Sequence, residues 1–284
     1  MNRRTLLDIA IAALVFTCIA FLASLGLTIF GFVKLHRRGS NGPSSLSWVK
    51  ASLTLTTTWL ALEVMAQTVP DTSASAGIYD KANPSFHTNV ICALFGATAF
   101  VVTMFTEVEV VRDFKTSSAQ WVPRKLAFSI LGLVVSLNCL RIFLAEALLF
   151  TQIEKLGLVC NAIDAATILI LLLFGITAFV LLVRAKDAVS SRIFKYLVAI
   201  YIITLCRLSY QSIYTILYLL SIYSLDFGPY WTIFMQIPSV FISAWSLLAC
   251  LGLIYHVASL GCKGEDVNDG LSADGDNSLK DEEF

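Results

Sequence analysis

The sequence predicts an all-α, polytopic membrane protein folded as a bundle of seven transmembrane helices. Of its 284 residues, 57% are hydrophobic and 14% are charged, whereas a soluble domain carries about 25% charged residues. The mean hydropathy is +0.77, and seven apolar runs reach the ~20 residues that a helix needs to cross a membrane. A β-barrel is disfavoured, because its strands are segments of ~10 residues with alternating hydropathy.

The seven predicted spans follow one another with short loops between them. The segments RRGSNGPSS, VPDTSASAG and LDFGP contain the glycine, proline and serine typical of turns. We interpret the first span as a retained helix, because its apolar run exceeds the ~7–15 residues of a signal peptide. The spans are predicted at 6–33, 48–69, 90–111, 126–150, 157–183, 196–223 and 230–257.

The orientation follows from lysine and arginine in the loops, which favour the cytosolic side. The loops after spans 1, 3 and 5 carry twelve of these residues, whereas the three intervening loops carry two, Lys81 and Lys155. This asymmetry predicts an N-terminus outside and a C-terminus in the cytosol. Arg3 and Arg4, before the first span, are the exception.

The last segment, 261–284, is predicted to be a disordered acidic cytosolic tail. It holds eight acidic residues and two lysines without apolar periodicity, and such a composition buries too little surface to order itself. Cys262 follows the last span on the predicted cytosolic side, where a cysteine is a candidate for palmitoylation.

Most polar residues within the spans fall in the predicted outer half of the membrane. Arg141, for example, is the sixteenth residue of its span, about 22 Å from the inner end at ~1.5 Å per residue. A charge at the bilayer centre costs at least ~2.5–3.5 kcal/mol and usually faces the bundle interior or an aqueous cavity. We therefore predict an outward-opening polar pocket. Its candidate ligand-binding residues are Glu63, Asn138, Arg141, Glu146, Asp164, Arg207, Gln211, Tyr214 and Gln236.

Helical spacing refines this pocket. Arg207, Gln211 and Tyr214 are offset by 0, 4 and 7 and so share one face of the sixth helix. Glu146 lies five residues from Arg141, which directs it about 140° away around the helix. We therefore expect Arg141 to pair with an acid on another helix.

A structural interpretation of the same residues stays open. Polar side chains between transmembrane helices often serve only to hold helices together. Glu107 and Glu109, at the inner end of the third span, are expected at the membrane interface, pairing with Arg112 or a neighbouring loop.

The sequence carries no catalytic signature, and we predict a protein that is not an enzyme and has no cofactor or metal. Its three histidines, His36, His87 and His256, lie at different membrane edges and do not converge on a zinc ion. Neither G-x-S-x-G nor H-E-x-x-H occurs. For Cys92 and Cys160, both near the outer face, a disulfide is one alternative and apolar filling the other.

The seven-span layout has the outline of a G-protein-coupled receptor, but the third span ends EVEVVRDF and the seventh reads QIPSVFISAW. These differ from the motifs of the largest receptor class. The layout and the stretch LCRLSYQSIYTILYLL at 205–220 resemble small seven-helix membrane proteins of filamentous fungi, and more distantly the Rta-type lipid-translocating exporter-like family. The resemblance implies a membrane protein of unassigned role in lipid handling or stress response, and it carries over no catalytic residue.

The sequence is compatible with three functions. A receptor or sensor would bind a small amphipathic ligand in the outer pocket and meet cytosolic protein partners through its basic inner loops and acidic tail. A transporter or lipid translocator would line a path with the same charges. A scaffold would use them only for packing. No basic domain suggests nucleic acid, and the plasma membrane and an endomembrane are both compatible with the sequence.

Overall fold

Seven long helices make up nearly all of the described part of the chain in the computed structural model, which describes residues 3–36, 45–68, 84–114, 122–151, 154–223 and 236–275. These ranges contain no β-strand. The helices are α1 (Arg3–His36), α2 (Ser45–Thr68), α3 (Pro84–Phe114), α4 (Arg124–Thr151), α5 (Glu154–Arg184), α6 (Ser191–Tyr223) and α7, which begins at Gln236 and ends at Gly275.

Six of these helices are long and apolar enough to cross a membrane. The chain is therefore a helical, multi-pass integral membrane protein, and six of the seven predicted spans meet this criterion. Large apolar side chains such as Leu22 and Phe143, 63% and 74% exposed, point out of the bundle, which suits contact with lipid. The six segments are Asp8–Val33, His87–Asp113, Arg124–Leu148, Leu156–Arg184, Ser191–Leu217 and Pro238–Leu260.

Helix α2 is the one of the seven helices that does not meet this criterion. Its hydroxyl groups explain how it packs. The Thr57 hydroxyl lies 2.7 Å from that of Ser24 and 2.8 Å from that of Thr28, both on α1. The Ser52 hydroxyl lies 2.7 Å from that of Thr106 on α3. Such hydrogen bonds between side chains of neighbouring helices hold the helices together in an apolar surrounding. The same residues lower the hydropathy of α2.

The helices form a closed ring in chain order, and α3 also contacts helices that are not its neighbours in the chain. Each helix packs on the next, and α7 contacts both α6 and α1. Helix α3 also contacts α5 and α7, besides its neighbours α2 and α4. Because α3 touches four other helices, its side chains line whatever space the bundle encloses.

Helix α7 is interrupted where it enters the bundle. An α-helical turn at Gln236–Val240 is followed by a π-helical segment, Phe241–Trp245, and by an α-helix, Ser246–Gly275. Pro238 lies in the first turn, where its missing N–H removes no helical hydrogen bond. Short π-helical segments are frequent at functional sites.

The end of α7 differs from the sequence prediction. The predicted disordered tail starts at residue 261, whereas the helix continues to Gly275. Residues 258–275 contain no proline, and extending a helix that already exists costs far less than starting one. The remainder of the predicted tail, 276–284, lies outside the described residues, and so does the side chain of Cys262.

A glycine sets the close approach of α2 and α3. A Cβ atom at Gly96 would lie 2.7 Å from Nε1 of Trp59, a residue that is 8% exposed. We expect Gly96→Ala to lower the free energy of unfolding by about 1–3 kcal/mol, because the indole must move within a packed region. Thermal unfolding of the purified protein in detergent measures the change.

Gly132→Ala is the matched control, since a Cβ atom at Gly132 meets nothing within 4 Å. This variant is expected to be neutral or to stabilise by up to about 1 kcal/mol, the helix-propensity difference between the two residues. Equal effects of the two substitutions would contradict the proposed packing of Trp59 on Gly96.

Candidate ligand-binding cavity

A cavity of about 430 Å³ lies inside the ring, between α2, α3, α4, α5, α6 and the start of α7. This volume falls within the range of about 300–1,000 Å³ typical of small-molecule sites. Small residues of α3 leave room for it: Ala93, Gly96 and Ala97 share the α3 face that points inward. The other lining residues are Trp59, Glu63, Phe100, Val101, Asn138, Arg141, Asp164, Thr167, Ile168, Leu171, Arg207, Tyr210, Gln211, Tyr214, Thr215, Ser239 and Ser243.

The structure brings together seven of the nine residues that the sequence assigned to a pocket. Glu146 does not line the cavity; its Oε1 lies 3.1 Å from Nδ1 of His87 on α3. Gln236 begins α7, but its side chain lies outside the described part of the structure. The seven that line the cavity are Glu63, Asn138, Arg141, Asp164, Arg207, Gln211 and Tyr214.

Arg141 and Asp164 form an ion pair across the wall of the cavity. Nε of Arg141 on α4 lies 2.5 Å from Oδ1 of Asp164 on α5, and both side chains are 30% exposed. The N–H is not aligned with the oxygen, so charge attraction rather than an aligned hydrogen bond holds the pair. The contact agrees with the expectation that Arg141 finds its acid on another helix. It also neutralises both groups.

Arg207 is placed very differently. It is 4% exposed, and its guanidinium carbon lies 4.3 Å from the centre of the Phe100 ring on α3. This cation–π contact offsets part of the cost of burying the charge. Its Nε and Nη1 have no hydrogen-bond partner, and none of the described carboxylates lies within 4 Å.

Glu63 resembles Arg207 in having no oppositely charged group within 4 Å among the described residues. Its Oε2 accepts a hydrogen bond from the Cys92 thiol at 2.8 Å, and its Oε1 accepts one from Nε2 of Gln67 at 3.2 Å. Both donors are neutral. Within the described residues Glu63 has hydrogen bonds but no cation within 4 Å.

Of the two alternatives for Cys92 and Cys160, the disulfide is not formed; both are buried free thiols. Cys92 on α3 points to Glu63 on α2. The thiol of Cys160 on α5 lies 3.7 Å from the backbone oxygen of Arg141 on α4. The two sulfur atoms thus face different helices, which the linear sequence does not reveal.

The sequence prediction for Glu107 is wrong. It placed Glu107 at the membrane interface, but the side chain is 1% exposed and accepts a hydrogen bond from the Thr204 hydroxyl of α6 at 2.8 Å. Its second oxygen has no partner. Helical spacing carries the missed signal, because Phe100 and Glu107 are seven residues apart and share one face.

Glu109, the other acid in that prediction, is also buried, at 0% exposed. Its Oε1 lies 2.5 Å from Nη1 of Arg112 and 3.5 Å from Nε of Arg124. The expected pairing with Arg112 is therefore present. These contacts hold the end of α3 and the start of α4 together.

A second, narrow gap continues inward from Arg207. It has no room for a water molecule. It separates the buried charges of Arg207 and Glu107, which lie on α6 and α3. The gap is lined by Phe100, Glu107, Thr204, Arg207, Ser246, Leu247 and Cys250.

The fold and the cavity define a class: a helical multi-pass membrane protein with a partly open cavity between its helices, lined by both polar and apolar side chains. The chain matches no family profile, no curated protein and no solved structure. The cavity itself is therefore the basis on which a function is inferred.

Substitutions of Arg141 and Asp164 test whether their ion pair stabilises the cavity wall. We expect Arg141→Gln and Asp164→Asn each to lower stability, because each leaves a charged group without its partner. The double variant should lose less than the sum of the two. The coupling free energy is expected to be about 0.5–3 kcal/mol from thermal or denaturant unfolding.

Arg141→Gln combined with Glu146→Gln is the control, since Glu146 lies on the same helix but contacts His87 instead. These two effects should add. If the Arg141 and Asp164 effects added equally well, the ion pair would contribute nothing to the wall.

Proposed function

We propose that the protein is a receptor- or sensor-like seven-helix membrane protein whose cavity binds a small amphipathic ligand from the outer side of the membrane. The cavity is the observation that carries this proposal. One wall is apolar, formed by residues such as Phe100, Val101 and Leu171, and the opposite part holds charged and phenolic groups. An amphipathic molecule matches both surfaces at once.

The position of the cavity supports binding from outside. Every lining residue lies at or near the midpoint of its helix, or in the half that the predicted topology places outside. The inner part of the bundle is closed by packed side chains, among them Met104, Leu247 and Leu251. A ligand that enters from outside can thus reach Arg207 but not the cytosol in this conformation.

We also propose that α2 is the seventh span. The backbone N–H of Ser45, at the start of α2, donates to Oδ2 of Asp113 at the end of α3, at 3.2 Å. Near the other end, Nε2 of Gln67 lies 3.3 Å from the hydroxyl of Thr17 on α1. Its 24 residues extend about 36 Å, more than the ~30 Å of the hydrocarbon core.

An odd number of spans places the two termini on opposite sides of the membrane. In sealed microsomes, we expect added protease to remove a C-terminal epitope tag and to leave an N-terminal tag protected. The twelve basic residues of the predicted inner loops give this orientation. Protection or loss of both tags together would mean six spans and would contradict the proposed role of α2.

A transporter or lipid translocator is the second candidate, and two observations favour it. Glu107, Thr204 and Arg207 continue the polar groups of the cavity inward. The π-helical segment of α7 borders the cavity through Ser243, and Ser246, directly after it, borders the gap; interrupted helices are common at transport sites. The gap between the charges is closed to water, which is why binding rather than transport stands first.

The proposal also covers catalysis and cytosolic partners. The cavity lining contains no histidine, and we propose no catalytic step. A cytosolic protein would meet the basic inner loops and the acidic tail. The relationship to small fungal seven-helix proteins stays a prediction.

Access of water to the cavity is the decisive test. In a background without native cysteines, we expect Gln211→Cys to react with a membrane-impermeant thiol reagent added to intact cells. Gln211 lines the cavity, and a water-filled cavity open to the outside admits the reagent. Mass spectrometry or a gel shift measures the labelled fraction.

Ile213→Cys is the matched control, since Ile213 lies two residues away on α6 and is 57% exposed on the lipid-facing surface. It should stay unlabelled because the reagent does not enter hydrocarbon. A cysteine in the loop at 70–83 should react fully and shows that the protein is accessible. No labelling of the cysteine at 211 under these conditions would rule out the outward-open cavity and favour a scaffold.

A further inference from the structure

The charges of the cavity do not cancel in pairs. Arg141 and Asp164 compensate each other at 2.5 Å. Among the described residues, no carboxylate lies within 4 Å of Arg207 and no cation within 4 Å of Glu63. The same cavity is therefore bordered by one cation and one anion that take part in no close ion pair.

This arrangement selects for the charge of a ligand. An ion in a poorly solvated site is costly unless it is paired. A purely anionic ligand would pair with Arg207. It would leave Glu63 without a cation, and the two negative charges would repel each other. A purely cationic ligand would do the reverse. A ligand that carries both charges compensates both side chains at once.

The surroundings of Glu63 suit a quaternary ammonium group. Trp59 lies one helical turn before Glu63 on α2, and both line the cavity. An ammonium cation is stabilised over an indole ring within about 6 Å, and the adjacent carboxylate adds charge attraction. A quaternary ammonium needs no hydrogen-bond acceptor, which fits a carboxylate that already accepts bonds from Cys92 and Gln67.

The surroundings of Arg207 suit a phosphate. A guanidinium group donates charge-assisted N–H bonds to phosphate oxygens, and Nε and Nη1 of Arg207 are buried without a hydrogen-bond partner among the described residues. Gln211, one turn further along α6, lines the same cavity and supplies an amide donor.

The separation of the two sites limits the ligand. Glu63 contacts α3 at Cys92, and Arg207 contacts it at Phe100. Eight residues of helix correspond to about 12 Å. Contacts of about 3 Å to the phosphate and of a few ångströms between the ammonium and the carboxylate leave a short separation between the two ligand charges, as in a phosphocholine group.

We propose that the cavity recognises a phosphocholine-type zwitterion, with the trimethylammonium group at Glu63 and Trp59 and the phosphate at Arg207 and Gln211. A short apolar chain packs on the wall formed by Phe100, Val101 and Leu171. This inference rests on the proposed function, because it names the ligand class of the same cavity.

Binding of four probes to the full-length wild-type chain tests the inference. The protein is purified in a maltoside detergent without choline lipids, and the probes are hexylphosphocholine, phosphocholine, hexyl phosphate and hexyltrimethylammonium. We expect hexylphosphocholine to bind at least about tenfold more tightly than either singly charged hexyl probe, a difference of about 1.4 kcal/mol. Phosphocholine without a tail distinguishes a soluble headgroup from a lipid as the source: equal affinity would identify the soluble one.

Two variants locate the charges. Glu63→Gln should abolish the preference for hexylphosphocholine over hexyl phosphate, and Arg207→Gln should abolish the preference over hexyltrimethylammonium. If the glutamine variant does not fold, Arg207→Lys replaces it. This variant keeps the charge but lacks the guanidinium group, and it should reduce the same preference. Glu146→Gln is the matched control, because this carboxylate lies outside the cavity and pairs with His87; it should leave all four affinities unchanged.

Wild-type protein that binds hexyl phosphate or hexyltrimethylammonium as tightly as hexylphosphocholine would overturn the zwitterion inference. So would a Glu146→Gln variant with the same loss of selectivity as Glu63→Gln. Labelling at position 211 tests the cavity independently. A labelled cavity without zwitterion preference defeats this inference alone, whereas an unlabelled one defeats the proposed function as well.

Discussion

The constraint on which the whole structure depends is that hydrocarbon offers no hydrogen-bond partner and no counter-ion. Every polar group inside the membrane must therefore be satisfied by the protein, by trapped water or by a ligand. The helices satisfy the backbone. The hydroxyls between α1, α2 and α3, such as Ser52 and Thr106, satisfy one another. The Arg141–Asp164 pair does the same for two charges.

Against this background, groups that the protein leaves uncompensated become informative. Among the described residues, Arg207 and Glu63 have no oppositely charged group within 4 Å, and both line one cavity. Glu107 has an oxygen without a described hydrogen-bond partner beside the narrow gap that it shares with Arg207. Charged groups inside a membrane protein are usually tied to binding or transport, which makes the cavity rather than the surface the best candidate for a functional site.

Sequence periodicity predicted the helices well because the membrane imposes their length and hydropathy. It also placed Arg141, Arg207 and Gln211 in one pocket, since depth follows from residue counting along spans of predicted direction. Glu107 was misjudged because depth along a helix does not tell whether a side chain near the interface faces lipid headgroups or the neighbouring helix. Glu146 was misjudged for a related reason: the rotation of α4 turns it toward His87.

By itself, the sequence determined that this is a helical membrane protein with its polar residues gathered in one half of the bundle. Hydropathy and residue count suffice for that, because both act along the chain. Only the tertiary structure decided which charges meet. It paired Arg141 with Asp164 and separated the cysteines at 92 and 160. It also left Arg207 and Glu63 facing one cavity. These outcomes depend on the rotation of each helix about its axis, which is fixed by packing between helices far apart in the chain.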